Sequence, residues 1–299
     1  MTVVPEPFER YGEERLGQAP AFGPGKDGVF EATLAREPGG ETRLLSDYAK
    51  VPYHLTGALD TDPAPGLATL CLQEPTGGVA QGDRHALSID ARARARAHVT
   101  TQSATKVHSM HSNYAHLDGT LRAGEEAHLE YLPGPTIVNE GARCLQTLSV
   151  ELDPTASAIV SDVFVPDGLT GQEPFGFDHY HSRLEARCEG QLVCSDAVDL
   201  RPTERDPRDP AAMGEFGVVG TLYVLAPAEP TAEIADPIHD RVAETDGTRA
   251  GVSALAHDAG VSVRVLGERS TDVVETVSAA WDEARRALLG VGAPKDRRY

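Results

Sequence analysis

From Gly28 to about residue 230 the chain is a succession of short apolar segments of five to eight residues, each closed by Gly, Pro, Asp or Asn. Gly28-Val29-Phe30-Glu31-Ala32-Thr33-Leu34, Gly66-Leu67-Ala68-Thr69-Leu70-Cys71-Leu72 and Ala86-Leu87-Ser88-Ile89-Asp90 are of this kind. So are Ala127-His128-Leu129-Glu130-Tyr131-Leu132 and Leu145-Gln146-Thr147-Leu148-Ser149-Val150-Glu151-Leu152. Segments this short, alternating or continuously apolar, are strands and not helices. Their regular spacing predicts a sandwich, a barrel or a coiled stack of sheets. Ala91-Arg92-Ala93-Arg94-Ala95-Arg96-Ala97-His98-Val99 alternates with period two and reads as one strand with a solvated arginine face.

Helical periodicity appears only toward the end. Thr248 to Ala259 reads as a short helix, with Val252, Leu255 and Ala256 on one side. Asp272 to Leu289 is stronger, because Val273, Val277, Trp281, Ala284 and Leu288 form one stripe. Asp272 is its expected N-cap, with Glu275 three residues on, and Gly290 its expected C′ glycine. Residues 1–27, rich in Pro, Gly and charge, read as an extension or loosely docked arm. The expected organisation is a β-rich portion over 28–230 and a helical portion over 231–299.

Charge narrows the function classes. The 46 acidic residues outnumber the 27 Lys and Arg, giving −19, and Lys26, Lys50, Lys106 and Lys295 are the only lysines. A surface of this sign lacks the footprint that phosphate binding requires, so nucleic acid is not an expected partner. It suits a high-salt cytoplasm, although a GC-rich genome also favours arginine over lysine. No stretch reaches the roughly 20 apolar residues that cross a bilayer, and the start of the chain has no signal-peptide pattern. A cytoplasmic protein without a membrane partner is expected. The four cysteines, Cys71, Cys144, Cys188 and Cys194, are too irregular for a disulfide framework. With Glu189-Gly190 as a two-residue turn, Cys188 pairs with Gln191 and Cys194 with Glu185, so those two thiols do not face each other.

Common catalytic templates fail. In Gly77-Gly78-Val79-Ala80-Gln81-Gly82-Asp83 an aspartate stands where a phosphate loop needs lysine. Gly-x-Ser-x-Gly, His-Glu-x-x-His and Cys-x-x-Cys do not occur. Histidines cluster twice. His108 and His111 point to opposite faces of a strand, which separates them from each other and weakens a trio with His116. His179 and His181 share a face and make a two-point imidazole site geometrically possible. The densest polar stretch is Val99-Thr100-Thr101-Gln102-Ser103-Ala104-Thr105-Lys106-Val107, whose hydroxyls either bond one another at a strand end or line a polar passage.

Several of these segments, taken in order, resemble the UreD (UreH) family of urease accessory proteins. Leu70 to Asp83 is similar to that family's segment ending in Gly-Gly-x-x-x-Gly-Asp, and Thr100 to Val107 to its most specific signature. Leu129-Glu130-Tyr131-Leu132-Pro133-Gly134-Pro135-Thr136-Ile137, then Gly141-Ala142, follow as they do in the family. The closing region, Ala259 to Gly267 with Trp281, Arg285 and Gly290, also fits, so the resemblance covers about residues 28–299. The region 162–173 departs from it: Asp162 stands near the usual glutamate, an arginine is missing, and Glu173 has no assured counterpart.

The resemblance implies a mainly β, stacked, β-helix-like architecture with about two helices in the C-terminal portion. It implies a urease maturation factor with no catalytic residue and no tightly bound cofactor. Such a protein binds UreF, which recruits the nickel-carrying GTPase UreG, docks on the urease apoprotein in an oligomeric accessory complex, and passes Ni²⁺ in transit. A passage needs weak oxygen ligands, since thiolates or several imidazoles would trap the ion. Asp83, Thr101, Gln102, Ser103, Glu130 and Glu140 are the expected lining, with Lys106 as a structural ion-pair partner. Against that stand a turn-capping Asp83 and a Glu130–Lys106 pair. The rival functions are a metal-dependent hydrolase on a β-solenoid, using His179 and His181, and a generic acidic interaction module.

Overall fold

A computed structural model describes residues 4–16, 25–167 and 174–294 of the protein. In chain order the elements begin α1 (Glu6–Glu13), β1 (Asp27–Arg36), β2 (Thr42–Lys50), β3 (Ala58–Leu59), β4 (Leu67–Leu72), β5 (Arg84–Ala91) and β6 (Arg96–Thr101). There follow β7 (Thr105–Val107), β8 (Ala115–Ala123), β9 (His128–Leu132), β10 (Thr136–Val138), β11 (Arg143–Leu152), β12 (Ser157–Pro166) and β13 (His179–Cys188). The remainder is β14 (Gln191–Leu200), β15 (Val218–Leu225), α2 (Thr231–Ala243), β16 (Thr248–Ala254), a 3₁₀ turn Ala256–Asp258, β17 (Gly260–Gly267) and α3 (Ser270–Leu289). The expected mainly β, stacked architecture is what the chain adopts.

The chain winds between two sheets, leaving one strand in each as it passes. A seven-stranded sheet runs β14-β13-β11-β8-β5-β1-β2, and a larger one runs β16-β17-β15-β12-β9-β6-β4-β3. Strands from successive coils pair in parallel. Leu67, Arg96, His128 and Ser157 stack in one ladder, and Gly28, His85, Leu117, Gln146 and Ser182 in the other. Short β7 and β10 add a third side, with β10 pairing both β7 and β12. Strand alternation then sorts the residues. Leu70, Val99, Leu129 and Val160 of the large sheet meet Phe30, Ile89, Leu121 and Val150 of the other, all fully or almost fully buried. Each such side chain contributes about 1.5–3 kcal/mol. The opposite face of the large sheet is covered by α2 and α3.

Helix α3 carries the expected stripe: Val273, Val277, Trp281 and Ala284 are buried and Leu288 packs beside them. Gly290 follows in the left-handed conformation at φ +72°. The helix starts two residues earlier than expected, with Arg269 at the N-cap; Asp272 instead receives the Arg269 guanidinium at 2.7 and 2.9 Å. Gly220 of β15 lets this helix approach, because a Cβ there would lie 2.7 Å from Val273.

Three local expectations are overturned. Thr248–Ala259 is not a helix: β16 pairs with β17 and only the 3₁₀ turn follows, so sheet pairing overrides the local stripe. Helix α2 went unread because Pro237, inside it, looks like a breaker. Ala91–Val99 is not one strand: Arg94 takes φ +62° and the chain turns there from one sheet to the other, with Ala91, Ala95 and Ala97 fully buried in the tight corner. At the β13–β14 hairpin the Glu189-Gly190 turn and the Cys188–Gln191 pairing are as expected, but a bulge puts Cys194 opposite Ala186, not Glu185. The four cysteines are free thiols. Among the described residues, no helix is long and apolar enough to cross a membrane.

His85 of β5 is 2% exposed, its ring against Tyr53, and neither ring nitrogen has a hydrogen-bond partner. Burial, only partly opposed by Asp83, lowers its pKa to about 4. Between pH 6.5 and 4 the unfolded chain therefore takes up a proton that the folded one refuses. Stability from this group is complete above pH 6.5 and falls with pH across that window, by up to about 3 kcal/mol at 1.36 kcal/mol per unit. Urea midpoints measured from pH 7.5 to 4.5 should fall less in His85→Phe than in the parent; parallel curves would refute this.

Candidate functional site

The interior between the sheets is not apolar throughout. At one end lies the aliphatic core just described. At the other, Val107, Phe164, Phe177 and Tyr180 form a separate buried cluster. Between them is a cavity of about 110 Å³, whose walls carry Glu74, Thr101, Gln146, Asp162, Ser182 and Tyr223. Asp162 is held by the Ser182 hydroxyl, which donates to Oδ2 at 2.7 Å. Burial raises the Asp162 pKa, with Ser182 and then Arg264 opposing the rise. Burial likewise raises Glu74, against the attraction of Lys26. Two carboxyls with raised pKa facing one polar chamber are a candidate site on physical grounds.

Thr101 is the junction. It lines this chamber, a second cavity of about 270 Å³ with Glu74, Ser103, Thr105 and Lys106, and a third of about 140 Å³ beside α3. Its Oγ1 donates to the Ser103 carbonyl at 2.9 Å and accepts from Gly134 N at 2.8 Å, so its rotamer is fixed. The rim of the second cavity is the Gly-Gly turn. Gly78 has φ +129° and a Cβ there would lie 2.3 Å from the Lys106 carbonyl oxygen, so this close approach excludes other residues.

Other candidates stand elsewhere. Asp83 is 2% exposed and its carboxylate accepts from Lys26 N at 2.6 Å and Ala80 N at 2.9 Å, with Lys26 Nζ 2.9 Å away: it caps the glycine turn. Gln102, Ser103, Lys106 and Glu140 are exposed, Ser103 and Lys106 on the rim of the second cavity. Lys106 makes no ion pair among the described residues, so the Glu130–Lys106 alternative does not hold. Glu130 points away from the interior by strand alternation and lies fully buried beneath α3. His98 Nδ1 and His128 Nε2 meet its two oxygens at 2.9 Å, and Arg285 Nε lies 3.4 Å away. Burial alone would raise the Glu130 pKa; the bonds from His128 and His98 pull it far below the usual carboxylate range. Glu173 lies outside the described residues.

The histidine trio is dispersed. His108 faces the Gly77 carbonyl, His116 the Thr147 hydroxyl, and His111 is exposed. His179 and His181 do share a face, on the outer side of the seven-stranded sheet, where Asp199 of β14 joins them.

Glu74 and Asp199 escaped notice as site residues, and Asp162 stood out only as lying near the family's usual glutamate, with no role assigned. For Asp162 the signal was a charge inside an otherwise apolar strand, Ile159-Val160-Ser161-Asp162-Val163-Phe164. For Asp199 it was hidden by the bulge in the hairpin, which shifts pairing by one residue and sets Asp199, not Val198, opposite His181.

The family model described as UreD urease accessory protein matches residues 26–299. The chain is 69% identical to a urease accessory protein UreD of Natronomonas pharaonis over 299 residues, all of both chains. It is 56% identical to one from Haloquadratum walsbyi, covering 97% of this chain and 95% of that one. It is 32% identical to urease accessory protein UreD 2 of Brucella suis, covering 93% of each.

Proposed function

The chain belongs to the UreD family of urease accessory proteins, and from that premise we propose that it helps place nickel in the urease active site as a non-catalytic scaffold. In this reading it works in the cytoplasm within an oligomeric complex, binding UreF, through which the GTPase UreG is recruited, and docking on the urease apoprotein. Nickel is its cargo and not its resident cofactor.

The observation that carries the reading is the polar chamber between the sheets and its junction at Thr101. Among the described residues, those lining that chamber include hydroxyls, the Gln146 amide and the acidic residues Glu74, Asp118 and Asp162, with Arg183 the one cation, and no cysteine or histidine. Oxygen donors of this kind hold a borderline divalent ion weakly enough to release it. We assign the passage to Glu74, Thr101 and Asp162, with Ser103 at the rim. Asp83 shapes the turn and Glu130 fastens α3, so neither touches the ion in this account.

Co-expression with tagged urease apoprotein, UreF and UreG tests the partner set. The tag should recover all four chains in fixed proportion, and omission of this chain should release UreF and UreG. Recovery of UreF and UreG on urease without it would contradict the scaffold role.

A further inference from the structure

On the outer face of the seven-stranded sheet, remote from the chamber, two imidazoles converge on one carboxylate oxygen. His179 Nε2 lies 2.6 Å and His181 Nδ1 3.4 Å from Asp199 Oδ1. We propose that these three residues bind a single borderline divalent cation of the Ni²⁺, Co²⁺ and Zn²⁺ class, roofed by helix α1. The inference does not rest on the maturation reading, and its test uses the isolated chain.

The geometry suits such an ion. Ligand atoms about 2.1 Å from one metal are about 3.0–3.4 Å apart; the His181 contact already has that spacing, and His179 needs to open by a few tenths of an ångström. Arg201 donates to the other oxygen, Oδ2, at 3.0 Å, which holds Asp199 as a one-oxygen ligand. The far nitrogens, His179 Nδ1 and His181 Nε2, have no hydrogen-bond partner among the described residues, so neither ring is committed to another group. Two imidazoles and a carboxylate select borderline metals over Mg²⁺ or Ca²⁺. When the ion takes the place of the hydrogen bonds to Oδ1, the proton that each ring donates there is displaced. It moves to that ring's far nitrogen if the ring is neutral, or leaves to solvent if it is an imidazolium, so the near nitrogen's lone pair is free for the metal.

The surroundings are favourable in charge and in shape. Arg143 and Arg201 are the cations here, and Glu14, Asp178, Asp199 and Glu204 pair with them, so carboxylates are in excess. Phe8 of α1, fully buried, stacks on His179 with ring centroids 4.3 Å apart, and Tyr11 meets the same ring edge-on. Helix α1 is fastened by Glu14, whose carboxylate receives Arg143 at 2.8 and 3.0 Å and the Asn113 backbone N–H at 2.9 Å. That apolar roof shields the His179 side. Asp199, 38% exposed, is the open side, where solvent can complete the coordination shell.

The test titrates Co²⁺ into the full-length protein at pH 7.5 with excess Mg²⁺ occupying the surface carboxylates. One equivalent should bind with a visible band showing nitrogen ligation. His181→Ala and Asp199→Asn, checked for folding by circular dichroism, should each bind at least about tenfold more weakly. In the unmodified protein, Zn²⁺ should shift the imidazole ¹⁵N signals of His179 and His181 alone. No uptake in Mg²⁺, equal uptake by both variants, or unshifted signals for these two rings would overturn the proposal.

Discussion

Replacing Arg285 by methionine should destabilise the protein by about 3–5 kcal/mol, the cost of breaking a buried ion pair from one side. Arg285 is fully buried on α3. It donates to Asp62 Oδ2 at 3.0 Å and with a second, shorter bond to Oδ1, and it approaches Glu130; both carboxylates are wholly buried. Trp281 closes the cluster, with His98 stacked on its ring and the Arg285 guanidinium 5.3 Å from its centroid. Methionine fills similar space yet leaves Asp62 in the interior without its cation and removes the third partner of Glu130, which keeps His98 and His128. Because the cluster is sealed, salt should not screen it, unlike the surface pairs of this acidic chain. Urea denaturation at low and high KCl should show the same deficit in both. An unchanged midpoint, or a deficit that vanishes in high salt, would show that the cluster does not hold α3 to the solenoid.

Asp162→Asn should lower urease activation in cells by about tenfold, the scale on which a single group beside a metal's path matters, with the accessory complex still assembling. Asparagine preserves the shape and can still bond Ser182, so the fold should persist. What it removes is the negative charge that a cation would pair with. Burial raises the Asp162 pKa because it disfavours the charged carboxylate in the empty chamber, and an arriving divalent ion offsets that cost. By the same sign, activation by the parent should weaken as pH falls, while the residual activity of Asp162→Asn should not follow that profile. Urease activity, total urease by blot and co-purification of the complex are the readouts. Full activation would remove Asp162 from the passage, and loss of the complex would make its role structural.

Much of this was legible in the residues. Strand-length segments and their punctuation gave a β-rich fold, with sandwich, barrel and coiled stack all open; the family resemblance implied the stack, and the Val273–Leu288 stripe gave α3. Ordered motifs such as Gly77 to Asp83 gave the family, and the structure supplies their physical reason: Gly78 lies against a backbone carbonyl and Asp83 caps the turn. What escaped depended on contacts distant in sequence. Glu130 looked like a lining residue, but the parity of β9 turns it toward α3, and beyond His128 on the same strand its partners come from β6 and from residue 285. The Ala91–Val99 alternation imitates a strand because the alanines of a tight corner and its arginines also alternate. Phe8 of α1, in a segment read as an arm, packs against Tyr114 and His179, a contact no local pattern announces.

The most direct test of the central claim is the nickel content of urease in cells lacking this gene, with urease abundance matched by blot. The account predicts abundant, nickel-poor and inactive urease, restored by the intact gene but poorly by Asp162→Asn. Fully nickel-loaded, active urease in the deletion strain would contradict it.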